Sequence, residues 1–237
     1  MDNAIYTNLT RQTGLLREMQ VVANNIANTA TTGFRQDNLI FSEHVKHIDG
    51  GASLSMATAS VRNTSFLQGA LTQTSGPLDL AIEGDGFFLI ETPQGQRLTR
   101  SGHFSSSPQG ELVTSDGNRV LDTGGAPVFL PPDAIDVAVA ADGTLSAAGV
   151  PLAQIGLMQP VDPENMLRET GVLFRADAGF EPADSGRIVQ GFLESSNVDP
   201  INQIARMIEV QRAYEMGQSL LEREDERIRA ALNTFIR

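Results

Sequence analysis

The chain has 237 residues, enough for one large or two small domains, but aromatic residues make up only 5%, Trp and Cys are absent and Gly occurs 22 times. Without Cys, a disulfide framework, thiolate metal sites and a cysteine nucleophile are excluded. A net charge of −12 makes nucleic acid and anionic membrane poor partners.

The charge is unevenly placed. Residues 1–46 balance four basic groups against four acidic ones, and residues 199–237 carry six against seven. The centre, 47–198, therefore holds 7 basic and 18 acidic groups, a net −11. Neutral ends suit close packing with like chains, and an acidic centre suits solvation. No run approaches the roughly 18–20 apolar residues that span a bilayer, so no membrane insertion is expected. The opening MDNAIYTNLTRQTG has neither a basic n-region nor an apolar h-region, so a cleaved signal peptide is not expected.

Residues 2–28 predict one amphipathic helix. Ile5, Leu9, Gln12, Leu16, Met19, Ala23 and Ile26 follow the alternating spacing of a coiled-coil seam. One apolar stripe needs a partner, which is either a second helix or the core of the domain itself. In ANNIANTATTGFR (23–35), Asn24, Asn25 and Asn28 edge the stripe, and Thr29 to Gly33 break the helix before Phe34. An amide-rich helix end reads either as a protein-packing surface or as a frayed polar terminus.

Residues 36–60 read as a connector in which Asn38–Val45 forms a short helix or strand and the stretch from Asp49 to Ser55 is flexible. From 61 to 194, short strands alternate with Gly, Pro and Asp turns, as in an antiparallel β domain. Phe87–Ile90 reads as a buried strand turned at Thr92–Gly95. The similar stretches starting at Gly110 and Gly143 suggest two similar hairpins. At Asp199-Pro200 a second helix is capped and started, and it runs on without Pro. Its seam is Ile204, Met207, Gln211, Tyr214, Gln218, Leu221, Asp225, Ile228, Leu232 and Phe235, at alternating 3,4 spacing. Gln211, Gln218 and the three asparagines are expected to set register between the helices, and the ends of the chain should be largely unfolded in the isolated monomer. The fold class is thus α+β: a Gly-rich antiparallel β domain between two helices that pair in a coiled-coil-like layer, with segments 1–35, 36–60, 61–194 and 195–237.

No catalytic, cofactor or metal site is expected. His44 and His47 lack an obvious third ligand beyond Asp49. Ser101 and His103 lack a placed acid, and Glu83 and Asp85 are explained by a tight turn. There is no phosphate loop, dinucleotide fingerprint or EF-hand spacing. The rival reading is a periplasmic wall-acting enzyme or ligand-binding β protein.

ANNIANTATTGFR resembles the N-terminal signature shared by the rod and hook proteins of the bacterial flagellum. GALTQTSGPLDLAIEGDGFF (69–88), TRSGHFSSSPQGELVTSDGNRVL (99–121) and GFLESSNVDPINQIARMIEVQRAYE (191–215) resemble further stretches of that family, with Gln203 standing where the family often has Glu. The resemblance implies a subunit of the axle, exported by the flagellar type III apparatus. Its partners would be other rod proteins and copies of itself, and its opening and length are most similar to the proximal-rod members. It also implies that assembly runs through Leu16, Met19, Ala23, Asn24, Asn25, Ile26, Asn28, Thr32, Gly33 and Phe34 at one end. At the other end it implies Ile204, Met207, Ile208, Gln211, Tyr214 and Leu221.

Overall fold

The computed structural model describes residues 2–46, 54–183 and 185–235, with side chains over 7–40, 63–183 and 185–233. Two compact units result, and neither is continuous in sequence. One is built from Met1–Ala27, Asp37–Ser65 and Asp199–Arg237, the other from Asn28–Gln36 and Phe66–Val198.

The first unit contains helix α1 (Asp2–Ala27), strands β1 (Asp37–Lys46) and β2 (Leu54–Thr64), and helix α2 (Pro200–Phe235). Helix α1 ends where expected: Thr31 N–H donates to the Asn28 carbonyl and the Thr31 hydroxyl to Asn28 Oδ1, both at 3.1 Å, replacing a further helical turn. Helix α2 begins with Pro200 in its first turn and Asp199 as its cap, whose Oδ1 accepts from Ile201 N–H at 2.9 Å and Asn202 N–H at 3.3 Å.

Between the helices the stretch read as a connector carries regular structure. β1 and β2 pair antiparallel from Asp37↔Thr64 to Lys46↔Leu54, with an irregularity at Ile40/Phe41. Asn38–Val45, open between helix and strand in the sequence, is strand. Residues 47–53, where most of the flexible link was expected, lie outside the described residues.

The second unit is antiparallel β. β3 (Leu71–Gln73), β4 (Leu80–Glu83), β5 (Phe87–Thr92) and β6 (Gly95–Thr99) follow in order, and β5 pairs with β6, with Arg119–Val120 and with Leu157–Pro160. The run Phe87-Phe88-Leu89-Ile90 is continuously apolar because β5 is covered on both faces. Phe88 and Ile90 pack with Leu80, Ile82 and Leu112, while Phe87 and Leu89 pack with Leu98, Leu121 and Phe174. Each such buried side chain contributes about 1.5–3 kcal/mol. The two expected hairpins form, Leu112–Thr114 against Arg119–Val120 and Thr144–Ala147 against Val150–Gln154. Arg187–Gln190 pairs with β4 and Phe192–Glu194 with β3, so the end of this unit returns to its beginning.

Candidate assembly interface

The helices of the first unit run antiparallel. Asn8 Nδ2 donates to the Gly217 carbonyl at 2.9 Å, Arg206 Nε to Glu18 Oε1 at 2.7 Å and Asn25 Nδ2 to Gln203 Oε1 at 3.2 Å. The Arg206 pKa is held above the ordinary guanidinium value, first by the hydrogen bond to Glu18. Asn25 also spans to the hairpin: its Nδ2 donates to the Asp37 carbonyl at 2.8 Å and its Oδ1 accepts from Asp37 N–H at 3.0 Å. Asp37 Oδ1 in turn accepts from the Thr64 hydroxyl at 2.9 Å, closing the start of the hairpin.

Half of each expected seam is displaced by one residue. On α1 the inward positions are Asn8, Gln12, Leu15, Met19, Val22 and Ile26, so Leu15 and Val22 replace Leu16 and Ala23. On α2 they are Gln203, Met207, Val210, Tyr214, Gly217, Leu221 and Glu224, replacing Ile204, Gln211 and Gln218. The sequence offers both choices because Leu15/Leu16 and Val22/Ala23 are apolar pairs, and a 3,4 spacing accepts either member. Packing of β2 on α1 as well as α2 widens the buried arc to include Glu18, Val21 and Asn25. The amides that bridge elements are Asn8, Asn25 and Gln203. Gln211 bonds Glu215 on its own helix at 3.0 Å, and Gln218 and Asn24 are exposed. Ile5 and Phe235 have side chains outside the described residues.

The displaced residues form a second, outward stripe. Leu9, Leu16 (43% exposed) and Ala23 lie seven residues apart on α1, and Ile201, Ile204 (51%) and Ile208 (46%) lie along α2. Met216 and Leu220 are exposed further round α2, beside Asn8 and Arg11 of α1. Each helix thus has an apolar face that the chain does not cover.

The residues after α1 build a different structure within the β unit. Gly33 adopts φ +70° and lies against the chain at Arg100–Ser101; a Cβ there would fall 2.3 Å from Ser101 N. Its N–H donates to the Glu194 carbonyl at 2.7 Å. Phe34, 1% exposed, lies under the Arg168 guanidinium, which is 4.4 Å from its ring and 4.6 Å from that of Phe174. Arg168 also donates to the Arg35 carbonyl. Arg35 is fully buried: Nη2 pairs with Glu194 Oε1 at 2.9 Å, and Nη1 donates to the carbonyls of Phe66, at 2.8 Å, and Leu67. Glu194 Oε1 accepts from Gly69 N–H at 3.0 Å, and Oε2 faces Arg100 Nε at 3.7 Å. Burial pushes the Arg35 pKa below the ordinary value and that of Arg100 down to about 10, against the opposing charge of Glu194. Arg35 Nε, Arg100 Nε and Glu194 Oε2 make no hydrogen bond. Thr32 is half-buried beside this knot, and Asn28 is held by Thr31.

Of these residues, Gly33 and Phe34 are legible from the sequence, whereas Arg35, Arg100, Arg168 and Glu194 are missed. Their only signal is that Arg35, Arg168 and Glu194 each adjoin an apolar residue, Phe34, Leu167 and Leu193, whereas Arg100 stands between Thr99 and Ser101 and carries no such signal.

The other candidate chemistries disperse. His103 Nδ1 lies 2.6 Å from Asp79 Oδ1 on the surface. Burial raises the Asp79 pKa, but hydrogen bonds from Thr74 and His103 and the His103 charge outweigh it, and the net shift is downward. Glu83 pairs with Arg187 at 2.7 Å. His44 and His47 have side chains outside the described residues. No cluster of three metal-ligating side chains occurs among the described residues, and none of their helices is long and apolar enough to cross a membrane.

Three family models match the chain in succession. The flagella basal body rod protein model covers residues 5–35, the FlgE/F/G D1 domain model of the flagellar hook protein covers 81–147, and the FlgEFG C-terminal model covers 189–234. The flagellar basal-body rod protein FlgF of Caulobacter vibrioides is 40% identical, with 98% of this chain and 97% of that protein aligned. This chain belongs to the flagellar basal-body rod protein family. FlgF of Mesorhizobium japonicum is 37% identical, across 93% of this chain and 92% of the relative. FlgG of Bacillus subtilis is 31% identical, across 98% and 99%. The rod protein relatives are structural components rather than enzymes. Each of the three matched segments of this rod protein contributes one charge to the buried knot: Arg35, Arg100 and Glu194.

Proposed function

We propose that this chain is a structural subunit of the proximal rod of the flagellar basal body and that it acts through geometry alone. Copies of it and other rod proteins pack along and beside one another through α1 and α2, forming a tubular axle across the periplasm that transmits torque from motor to hook. The flagellar type III apparatus exports the chain. The acidic β unit remains solvated.

One observation carries this reading. After α1 and α2 have satisfied each other, Leu9, Leu16, Ile201, Ile204 and Ile208 still point to solvent along both helices. Large apolar side chains in rows on otherwise polar helices mark protein contact surfaces. Helices of about 39 and 54 Å, at 1.5 Å per residue, are suited to side-by-side packing in a stiff tube.

The test is deletion of the gene followed by electron cryotomography of the envelope. Cells should lack hook and filament and show an arrested rod, and the chain lacking 199–237 should not rescue them. Normal flagella in the deletion strain would remove the reading.

A further inference from the structure

α1 and α2 approach closely at Gly217. A Cβ on this residue would stand 3.1 Å from Asn8 Oδ1 and 3.2 Å from Gln12 Nε2. Beside it lies a groove of about 400 Å³, whose apolar lining includes Met216 (66% exposed) and Leu220 (52%). Arg11 and Arg223 flank it, both exposed and neither carrying an ion pair among the described residues. A groove with an apolar floor and two free cations calls for an acidic helical segment that also carries an apolar side chain.

This chain has such a segment. The antiparallel register set by Asn8 and Gly217 brings Asp2 to about the level of Arg223. α2 continues to Phe235, so its last three turns, about 18 Å of helix, run beyond the start of α1. Those turns open with Glu224-Asp225-Glu226 and go on to Ile228, Ala231 and the exposed Leu232. Glu224 and Asp225 hold Arg227 and Arg229 on their own helix, whereas Glu226 has no basic partner among the described residues.

We propose that the groove at Gly217 is the socket for the C-terminal turns of α2 from a second copy of this chain, with Leu232 seated on Met216 and Leu220 and the acidic run facing Arg11 and Arg223. The inference rests on the rod reading above and specifies one of its contacts. The socket and the plug are different surfaces, so the contact is heterologous and leaves a free socket at one end and a free plug at the other. It extends along an axis, whereas a two-fold pair would close on itself.

Because the chain has no Cys, a disulfide reports only the cysteines introduced. Leu220→Cys and Leu232→Cys, both exposed positions, are expressed together as full-length chains in the deletion strain, and swimming cells are oxidised. A dimer that requires both variants is expected. Arg11→Glu with Arg223→Glu in the socket copy should lower its yield by about tenfold, and Glu224→Arg with Glu226→Arg in the plug copy should restore it. Met216→Cys, paired with Leu232→Cys, provides a second reading of the same contact. If cells swim but neither pair gives more dimer than Leu220→Cys with Ser115→Cys, a surface position of the β unit, the socket is overturned and the rod reading stands. A deletion strain that swims without the chain removes the rod reading itself.

Discussion

Among the described side chains, the two units differ in how much apolar surface they enclose. In the β unit, Leu80, Ile82, Phe88, Ile90 and Leu98 are fully enclosed, and large apolar residues make up both cores. Among the described side chains of the helical unit the enclosed set includes Gln12, Glu18, Asn25, Asp37 and Gln203, with Leu15, Val21, Val22 and Val210 as buried apolar members. Its larger apolar side chains are outside instead: Leu9, Leu16, Ile201, Ile204, Ile208 and Met216. The β unit builds two apolar cores from its own strands, although Leu67, Phe129, Ile135 and Val161 stay outside them. The helical unit uses directional hydrogen bonds to hold its elements in register and leaves its hydrophobic surface for other molecules. A module whose stability is completed by neighbours is suited to assembly.

If this contrast is right, substitutions should sort by unit. The largest effect is expected from Phe88→Ala, which empties a fully buried site and should cost about 3–5 kcal/mol in denaturant unfolding of the β unit. Glu194→Ala leaves Arg35 and Arg100 buried without their shared counter-charge, a loss of about 3–5 kcal/mol by the same measurement, with the Arg35→Met, Glu194→Met double variant recovering part of it. Asn25→Ala in the helical unit strands the Asp37 N–H and carbonyl and should cost about 1–3 kcal/mol. The expected readout is faster amide exchange at the start of β1 while the β unit is unchanged. Ile204→Ser with Ile208→Ser should shift the stability of the single chain by no more than about 0.5 kcal/mol and yet abolish rescue of motility. A large stability loss from that last pair would erase the contrast, because it would make the outward stripe part of the chain's own core.

Much of this was legible in the sequence. Helix boundaries followed from the Asp199-Pro200 start and from the Thr-Gly break before Phe34, because caps and breakers act locally. The β unit followed from turn residues at regular intervals. Which half of each heptad faced inward was not legible: Leu15 and Leu16 are equivalent to a periodicity argument, and the choice was made by β2 packing on a second side of α1. The charged knot was also hidden. Arg35, Arg100 and Glu194 are far apart in sequence, and a charge is ordinarily read as solvated unless its partner is known.

The knot also governs where force travels. Gly33 N–H bonds the Glu194 carbonyl, Asn197 N–H bonds the Phe34 carbonyl at 3.3 Å, and Gln36 N–H bonds Asn197 Oδ1 at 2.6 Å. The strand leaving for the β unit is therefore stitched to the strand coming back from it, across an excursion of some 130 residues, 66–198. Tension that reaches the β unit along one of these connections can leave along the other by way of these few bonds, as current takes a shunt across a coil.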